Sequence, residues 1–532
     1  MARRRVTRDV ELTEEGEGSA PDGRAAAPVG GGGATTGPDD APASSSPGAR
    51  RPSRRTVLVA GGLVAAVAAG LVVSQQVADR RDAERLARLA TVPGVVAPVE
   101  APLEVLWSSS SDGLGLPAVV DGWYDPAALV GVRVTDDAAA TLVAVAGGTG
   151  EETWTVPLVP AAGPLGGSST PSGVACAALP AVGTDRVVCV ASDAYTVWEG
   201  TSSYATAPTT SRLLVVDGGT GEVVAEHAAD PADGPPAHDL TVAEGRAVLL
   251  AAEAGGDGVL RAVDPVTGTE AWRTPLPPDD PAGLSGQVAG PGGTLARLRD
   301  GTLVVLRGSG DSLLVDPADG TVLREVPRGS TPALSPQLRT SGGVAWGVGA
   351  GGTADLVSTD GASTTVVRAT GDLTFPGAHV PVLVDDGSAG DLVLARDRAG
   401  VRALDPATGD ARWQVDAGVA RSAHVLDGRV HLESAAGVVT VDAATGDEIW
   451  RRGRAGSAPA TAPLVDGRLL WEAERTATPD GGPGADLVGL DPADGTERAR
   501  VPLPAGLTEV SPYGGRLVGL AGLGADGIVV VG

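Results

Sequence analysis

Ala403-Leu404-Asp405-Pro406-Ala407-Thr408-Gly409, with Trp413 four residues further on, is the stretch that decides how this chain folds. Its first residues are short and apolar; the rest is turn chemistry. An Asp carboxylate accepts hydrogen bonds from the amides ahead of it, Pro presets φ at the first turn position, and Gly accepts the left-handed conformation that closes the turn. Two short apolar runs joined this way read as a β-hairpin. The same order returns at Asp264-Pro265-Val266-Thr267-Gly268 with Trp272, at Asp316-Pro317-Ala318-Asp319-Gly320, at Asp442-Ala443-Ala444-Thr445-Gly446 with Trp450, and at Asp491-Pro492-Ala493-Asp494-Gly495. Weaker copies are Asp217-Gly218-Gly219-Thr220-Gly221 and Ala146-Gly147-Gly148-Thr149-Gly150 with Trp154, and a degenerate one is expected around Ser358-Thr359-Asp360-Gly361. The pairs Asp217 and Gly221, Asp264 and Gly268, Asp316 and Gly320, Asp405 and Gly409, Asp442 and Gly446, and Asp491 and Gly495 are therefore structural turn residues.

Measured from Asp to Asp, the steps from 217 to 491 are 47, 52, 44, 45, 37 and 49 residues. A period in the forties, with about four short strands per unit, is the signature of a propeller blade. The chain is thus expected to be all-β, a β-propeller of four-stranded blades, with eight blades and a range of seven to nine. The step before Asp217 is longer because residues 160–171 and 195–210 interrupt the pattern, and such insertions map to loops on the faces. Residues 527–531 form a strand with no outer partner after it, and residues 103–107 resemble an outer strand with no blade before it. Together they complete one composite blade and remove two open edges.

Outward from the repeats, the N-terminal fifth has a different character. Residues 1–49 mix charge clusters with runs such as Gly30-Gly31-Gly32-Gly33, and read as a disordered cytoplasmic tail. Residues 50–78 combine Arg50, Arg51, Arg54 and Arg55 with an uncharged apolar run at 57–73, the length a hydrocarbon core requires. The arginine flank places the N-terminus inside and everything downstream outside the cytoplasm. Ser53-Arg54-Arg55-Thr56-Val57-Leu58 also resembles a twin-arginine export signal, with Val in place of the usual aromatic; an uncleaved signal anchor is the simpler reading. Residues 79–101 read as a short juxtamembrane helix and a Pro-containing linker that spaces residues 102–532 from the membrane.

Composition removes whole classes of function. The chain of 532 residues carries a formal charge of −26, and all 40 of its basic residues are Arg, since it has neither Lys nor Asn. No lysine Schiff base, P-loop lysine or N-glycosylation acceptor exists. The acidic balance also repels nucleic acid. His227, His238, His379, His424 and His431 show no metal spacing, and most are expected to be exposed or locally satisfied. Cys176 and Cys189 lie on successive apolar runs about a turn near 182 and 183, so the two positions face each other across strands. A disulfide is expected outside the cytoplasm, against two free buried thiols or a redox pair.

A hairpin turn of the form Asp-x-x-Thr-Gly preceding a strand that carries Trp resembles the pyrroloquinoline-quinone (PQQ) type repeat of quinoprotein-dehydrogenase-like β-propellers, over about four fifths of the chain. The resemblance implies that Trp107, Trp154, Trp272, Trp413 and Trp450 dock between neighbouring blades. Family dehydrogenases hold PQQ and calcium through Glu, Asn and Asp, often beside adjacent cysteines. This chain has no Asn and no adjacent cysteine pair, so neither a cofactor-binding nor a catalytic residue is assigned, nor any metal ligand. The domain logic is also similar to the propeller lipoproteins of outer-membrane protein assembly, which use these repeats without a cofactor, although no lipobox cysteine stands near the apolar segment. The expected function is a membrane-anchored, non-catalytic scaffold for an extracytoplasmic protein, ligand or envelope partner. The alternatives are a PQQ-dependent oxidoreductase and a sensor coupled to the tail.

Overall fold

The computed structural model describes residues 74–532 apart from several connecting stretches, the longest being 278–293, 327–339 and 346–355. The expectations for residues 1–49 and for the apolar run at 57–73 lie outside the described residues. Among the described residues, no helix is long and apolar enough to cross a membrane.

Among the described residues, the alternating apolar runs form eight sheets of four or more strands, antiparallel apart from one added strand, and a further blade of three strands. In chain order they are blade 1 (residues 118–159), blade 2 (174–229), blade 3 (237–275), blade 4 (294–326), blade 5 (356–376), blade 6 (378–415), blade 7 (420–453), blade 8 (464–502) and blade 9, which joins 510–531 to 105–108. Blade 5 is the three-stranded one; a two-stranded pairing at Thr340–Ser341 and Val344–Ala345 precedes it. That makes nine blades among the described residues, one more than the eight expected: the reduced blade 5 still packs against blade 4 on one side and blade 6 on the other.

Buried side chains weld each blade to the next. One cluster joins Leu142 of blade 1 to Val187 of blade 2, another joins Leu392 of blade 6 to Leu432 of blade 7, and comparable clusters fill the other seams from blade 2 to blade 9. Blade 9 is closed by Val105–Ser108 lying antiparallel to Ile528–Val531, with Trp107 opposite Val530. Trp107 then packs on Gly150 of blade 1, and Arg516 Nε donates to the Pro126 carbonyl at 2.5 Å, so the ring shuts on itself.

The degenerate turn is not at residues 358–361. Ser358 and Thr359 end the first strand of blade 5, Leu356–Thr359, and the turn equivalent to Asp-Pro-Ala-Thr-Gly is Arg368-Ala369-Thr370-Gly371, one residue shorter and ahead of Leu373–Pro376. Arg stands where Asp is expected, which hides the turn from a search keyed on Asp.

Helical backbone at residues 79–89 precedes the first blade strand. It does not stand free as a spacer. Leu89, Val92 and Val95 are buried with Leu426, Trp450 and Leu470 between blades 7 and 8. Arg85 pairs with Asp427 at 2.5 Å and donates to the Gly467 carbonyl at 3.1 Å. Val95 bridges in parallel to Val465, and the Ala97 amide donates to the Gly515 carbonyl. Asp427, Gly467 and Gly515 all sit in turns between the first two strands of a blade, so the segment covers the end of the blades that also carries the Asp-x-x-Thr-Gly turns.

Candidate functional site

The turns and the tryptophans form one repeated latch. In each turn the Asp carboxylate accepts the amide two residues ahead: Gly219 on Asp217, Val266 on Asp264, Ala318 on Asp316, Ala407 on Asp405, Ala444 on Asp442 and Ala493 on Asp491, at 2.8–3.1 Å. The Thr220 hydroxyl beside Asp217, the Thr267 amide beside Asp264 and the Arg412 guanidinium beside Asp405 hold those carboxyls below the usual range. Gly221, Gly268, Gly320, Gly409, Gly446 and Gly495 close the turns with φ between +70° and +77°. Onto the glycine comes the aromatic ring of the preceding blade: Trp107 on Gly150, Trp154 on Gly221, Trp272 on Gly320, Trp413 on Gly446 and Trp450 on Gly495. Each indole N–H donates to the carbonyl just after the turn's first residue, namely Gly147, Gly218, Pro317, Ala443 and Pro492, at 2.8–3.2 Å.

Blades lacking the Trp use other means. His227 lies against Gly268, its Nε2 3.2 Å from the Pro265 carbonyl. Arg324 pairs with Asp372 of the blade 5 turn, and Leu373 covers Gly409. His227 escapes the sequence pattern because it stands two residues beyond the Trp position, on the same strand face. These residues are consumed in packing.

A polar seam between blades 7 and 8 was not legible in the sequence. Arg454 reaches Glu472 at 2.6 Å and Glu433 at 3.4 Å, with the three side chains only 2 %, 1 % and 5 % exposed. Ser422 donates to Glu433 at 2.8 Å, and burial pushes the Glu433 carboxyl up. Arg452 extends the network to Glu474 and Glu497, which Arg500 also holds. His424 and His431 face each other across the first two strands of blade 7, both buried. Two of the five histidines are thus neither exposed nor fully satisfied: His424 Nδ1 and His431 Nε2 have no partner among the described residues. Burial lowers His424 to about 4 and His431 to about 3. The available signal was a carboxylate inside an otherwise apolar strand, at His431-Leu432-Glu433 and Leu470-Trp471-Glu472.

Cys176 and Cys189 are directly opposite in blade 2 and joined as a disulfide. Above them, the two insertions meet. Ser168–Pro171 and Ser202–Ala205 flank Tyr195–Glu199 in a three-stranded sheet. Tyr195 and Val197 root this sheet in the core of blades 1 and 2, and the Tyr195 hydroxyl donates to the Pro160 carbonyl at 2.8 Å.

The donor set does not fit a PQQ–calcium centre. Both cysteines are spent in one cross-link, the chain has no Asn, and no group of three His, Cys, Asp or Glu side chains able to hold a metal stands together among the described residues. At the axial edge of blade 7, Val382–Asp385 adds a fifth strand, parallel to Ala420–Leu426.

A closed ring of four-stranded sheets latched by Asp-turn, glycine and tryptophan defines a PQQ-repeat β-propeller. The model of the family described as outer membrane protein assembly factor BamB matches residues 138–339 and 333–520, well over half of the chain, and the chain belongs to that family. Among solved structures, BamB from Moraxella catarrhalis is similar at 14% identity, over 81% of this chain and 99% of that one, with a TM-score of 0.34. A europium-containing methanol dehydrogenase is similar at 13% identity, over 81% and 93%, with a TM-score of 0.33. Saccharomyces cerevisiae Sqt1 is similar at 10% identity, over 75% and 98%, with a TM-score of 0.32. No curated protein matches the chain. The fold rests on the family match and the geometry above, not on these scores.

Proposed function

We propose that this protein is a non-catalytic interaction scaffold: an extracytoplasmic propeller, anchored by the apolar run at 57–73, that engages a protein of the cell envelope. The observation that carries this reading is the use made of the chemistry-bearing residues. The turn aspartates are bound to their own backbone, the cysteines to each other, and the buried carboxylates to Arg454 and Arg452. Function follows from the site rather than the fold, and the recognisable machinery here is structural. The family's description as an assembly factor supports the same direction. The segment at residues 79–99 covers the turn-bearing end of the blades, which leaves the other end for a partner.

The full chain in detergent, titrated with PQQ and calcium, tests this against an oxidoreductase. Intrinsic Trp fluorescence reads binding, and dye-linked oxidation of alcohols and sugars reads turnover. The expected result is neither saturable binding nor turnover. Saturable binding with turnover overturns the scaffold reading. A soluble fragment for the same purpose starts at residue 75, because one starting at 102 loses Leu89, Val92 and Val95 from the core.

A further inference from the structure

Two observations single out one place on the propeller. The first is compositional. Residues 160–171 and 195–210, the two insertions, hold 28 residues with a single charge, Glu199, in a chain that is 20% charged overall. They also hold Tyr195, Trp198 and Tyr204, in a chain with only 9 Trp, 4 Tyr and 1 Phe, among many Ser and Thr. Loss of charge with gain of Tyr, Trp and small hydroxyl residues is the composition of recognition surfaces. A neutral island of this size in a protein of charge −26 is not what a solvated loop requires.

The second observation is topological. The sequence separates these insertions, but the fold joins them into one sheet in the order 202–205, 195–199, 168–171. Trp198 stands in register between Ser203 and Ser168, and the adjacent Val197, opposite Tyr204, is buried. The sheet rises from the connection between the second and third strands of blade 2 and from that between blades 1 and 2. Both lie at the end of the blades opposite the docked segment. Its base is fixed by Tyr195 and Thr206, which exchange backbone and hydroxyl hydrogen bonds, and by the Thr210 amide on Asp193. Among the described residues, Ser202–Ala205 has a neighbour on one side only. Exposed edges are usually blunted by charge or proline, yet Ser202-Ser203-Tyr204-Ala205 has neither, whereas Ser168–Pro171 at the other edge ends in proline.

We propose that this three-stranded sheet is the partner site of the scaffold, and that it takes an extended, uncharged or basic segment of another protein as an added strand along residues 202–205. Backbone pairing along this edge supplies both register and affinity. A second copy of this chain is a poor occupant, because two bodies of charge −26 repel. The inference rests on the scaffold reading and locates its site.

The test places a photo-crosslinking amino acid at Ser203 or Ser168, and for comparison at Ala407 or Ala444 on the turn-bearing end, in the full chain within the cells that make it. It is combined with Ser203→Pro and Tyr204→Pro. Successive strand residues point their amides alternately towards and away from the neighbouring strand, so one of these prolines leaves the pairing with residues 195–199 intact. Unchanged hydrogen exchange at 195–199 identifies which. The expected result is a discrete adduct from position 168, and from position 203 when the tolerated proline is at 204, that falls at least tenfold in that proline variant and persists in the matching alanine variant. Adducts confined to 407 and 444, or indifferent to the proline, overturn the inference and leave the scaffold reading standing. No adduct at any position overturns both.

Discussion

At Gly446 the backbone φ is +74°, and a Cβ added there would lie 2.5 Å from the Trp413 ring. The glycine is needed twice, for its conformation and for its missing side chain. Gly446→Ala is therefore expected to cost more than the roughly 1–2 kcal/mol of holding an ordinary residue in left-handed backbone, approaching the roughly 3–5 kcal/mol expected of Trp413→Ala. Denaturant midpoints check both, and the double variant should cost less than the sum because the two residues share one contact. His424 and His431 make a prediction in pH. Their folded values of about 4 and about 3 lie below the ordinary 6.5, so the unfolded chain binds protons first as pH falls. The stability of the neutral pair is complete above about 6.5 and drains away as pH drops towards 4, at about 1.4 kcal/mol per unit for each ring. The raised Glu433 works in the opposite sense above the ordinary carboxyl range, so the net slope is shallower than two protons' worth. Urea midpoints between pH 7 and 5 should fall in the parent chain, and less steeply in His424→Gln.

The segment at 79–99 shows how an element's role depends on what it touches. Its spacing reads as a helix and its prolines as a linker, which together describe a spacer; yet Leu89 is fully buried and Arg85 bonds Asp427 and Gly467. Leu89→Ala should loosen the segment by about 2–5 kcal/mol. Hydrogen exchange should rise at residues 86–99 and stay unchanged in blades 2 to 4. No change at 86–99 would mean that the segment is not held by this contact. The seam of Glu433, Arg454 and Glu472 belongs to the same scale. Each residue is an exposed type by composition, and only the approach of blade 8 to blade 7 buries them together. That is why the strand pattern hid them: a single Glu inside an apolar run reads as a solvent-facing position until the next sheet covers it.

Closure is a property of the whole ring. Val105–Ser108 and Ile528–Val531 are more than four hundred residues apart in sequence, and their pairing completes blade 9 as a four-stranded sheet. A chain ending at 527 is expected to lose its single cooperative unfolding transition and to associate through the exposed edges of 105–108 and 516–520. Size-exclusion chromatography and calorimetry check this. A monomeric truncated chain with the parent's transition would show that the blade seams alone hold the ring.

The sequence by itself determined the repeat, its turns, the all-β ring and the composite closing blade, because turn chemistry and short apolar runs are local and recur with a fixed period. It also placed Cys176 opposite Cys189, since a hairpin register follows from its own turn. The tertiary structure decided what local chemistry leaves open. It showed Arg368-Ala369-Thr370-Gly371 as the blade 5 turn, His227 standing in for a tryptophan, and the helix at 79–89 lying against the blades. It also gathered two distant insertions into one sheet. In each case the reason is the same: the partner lies in a neighbouring blade or a distant loop, and contact across a seam leaves no periodic mark on the strand that makes it.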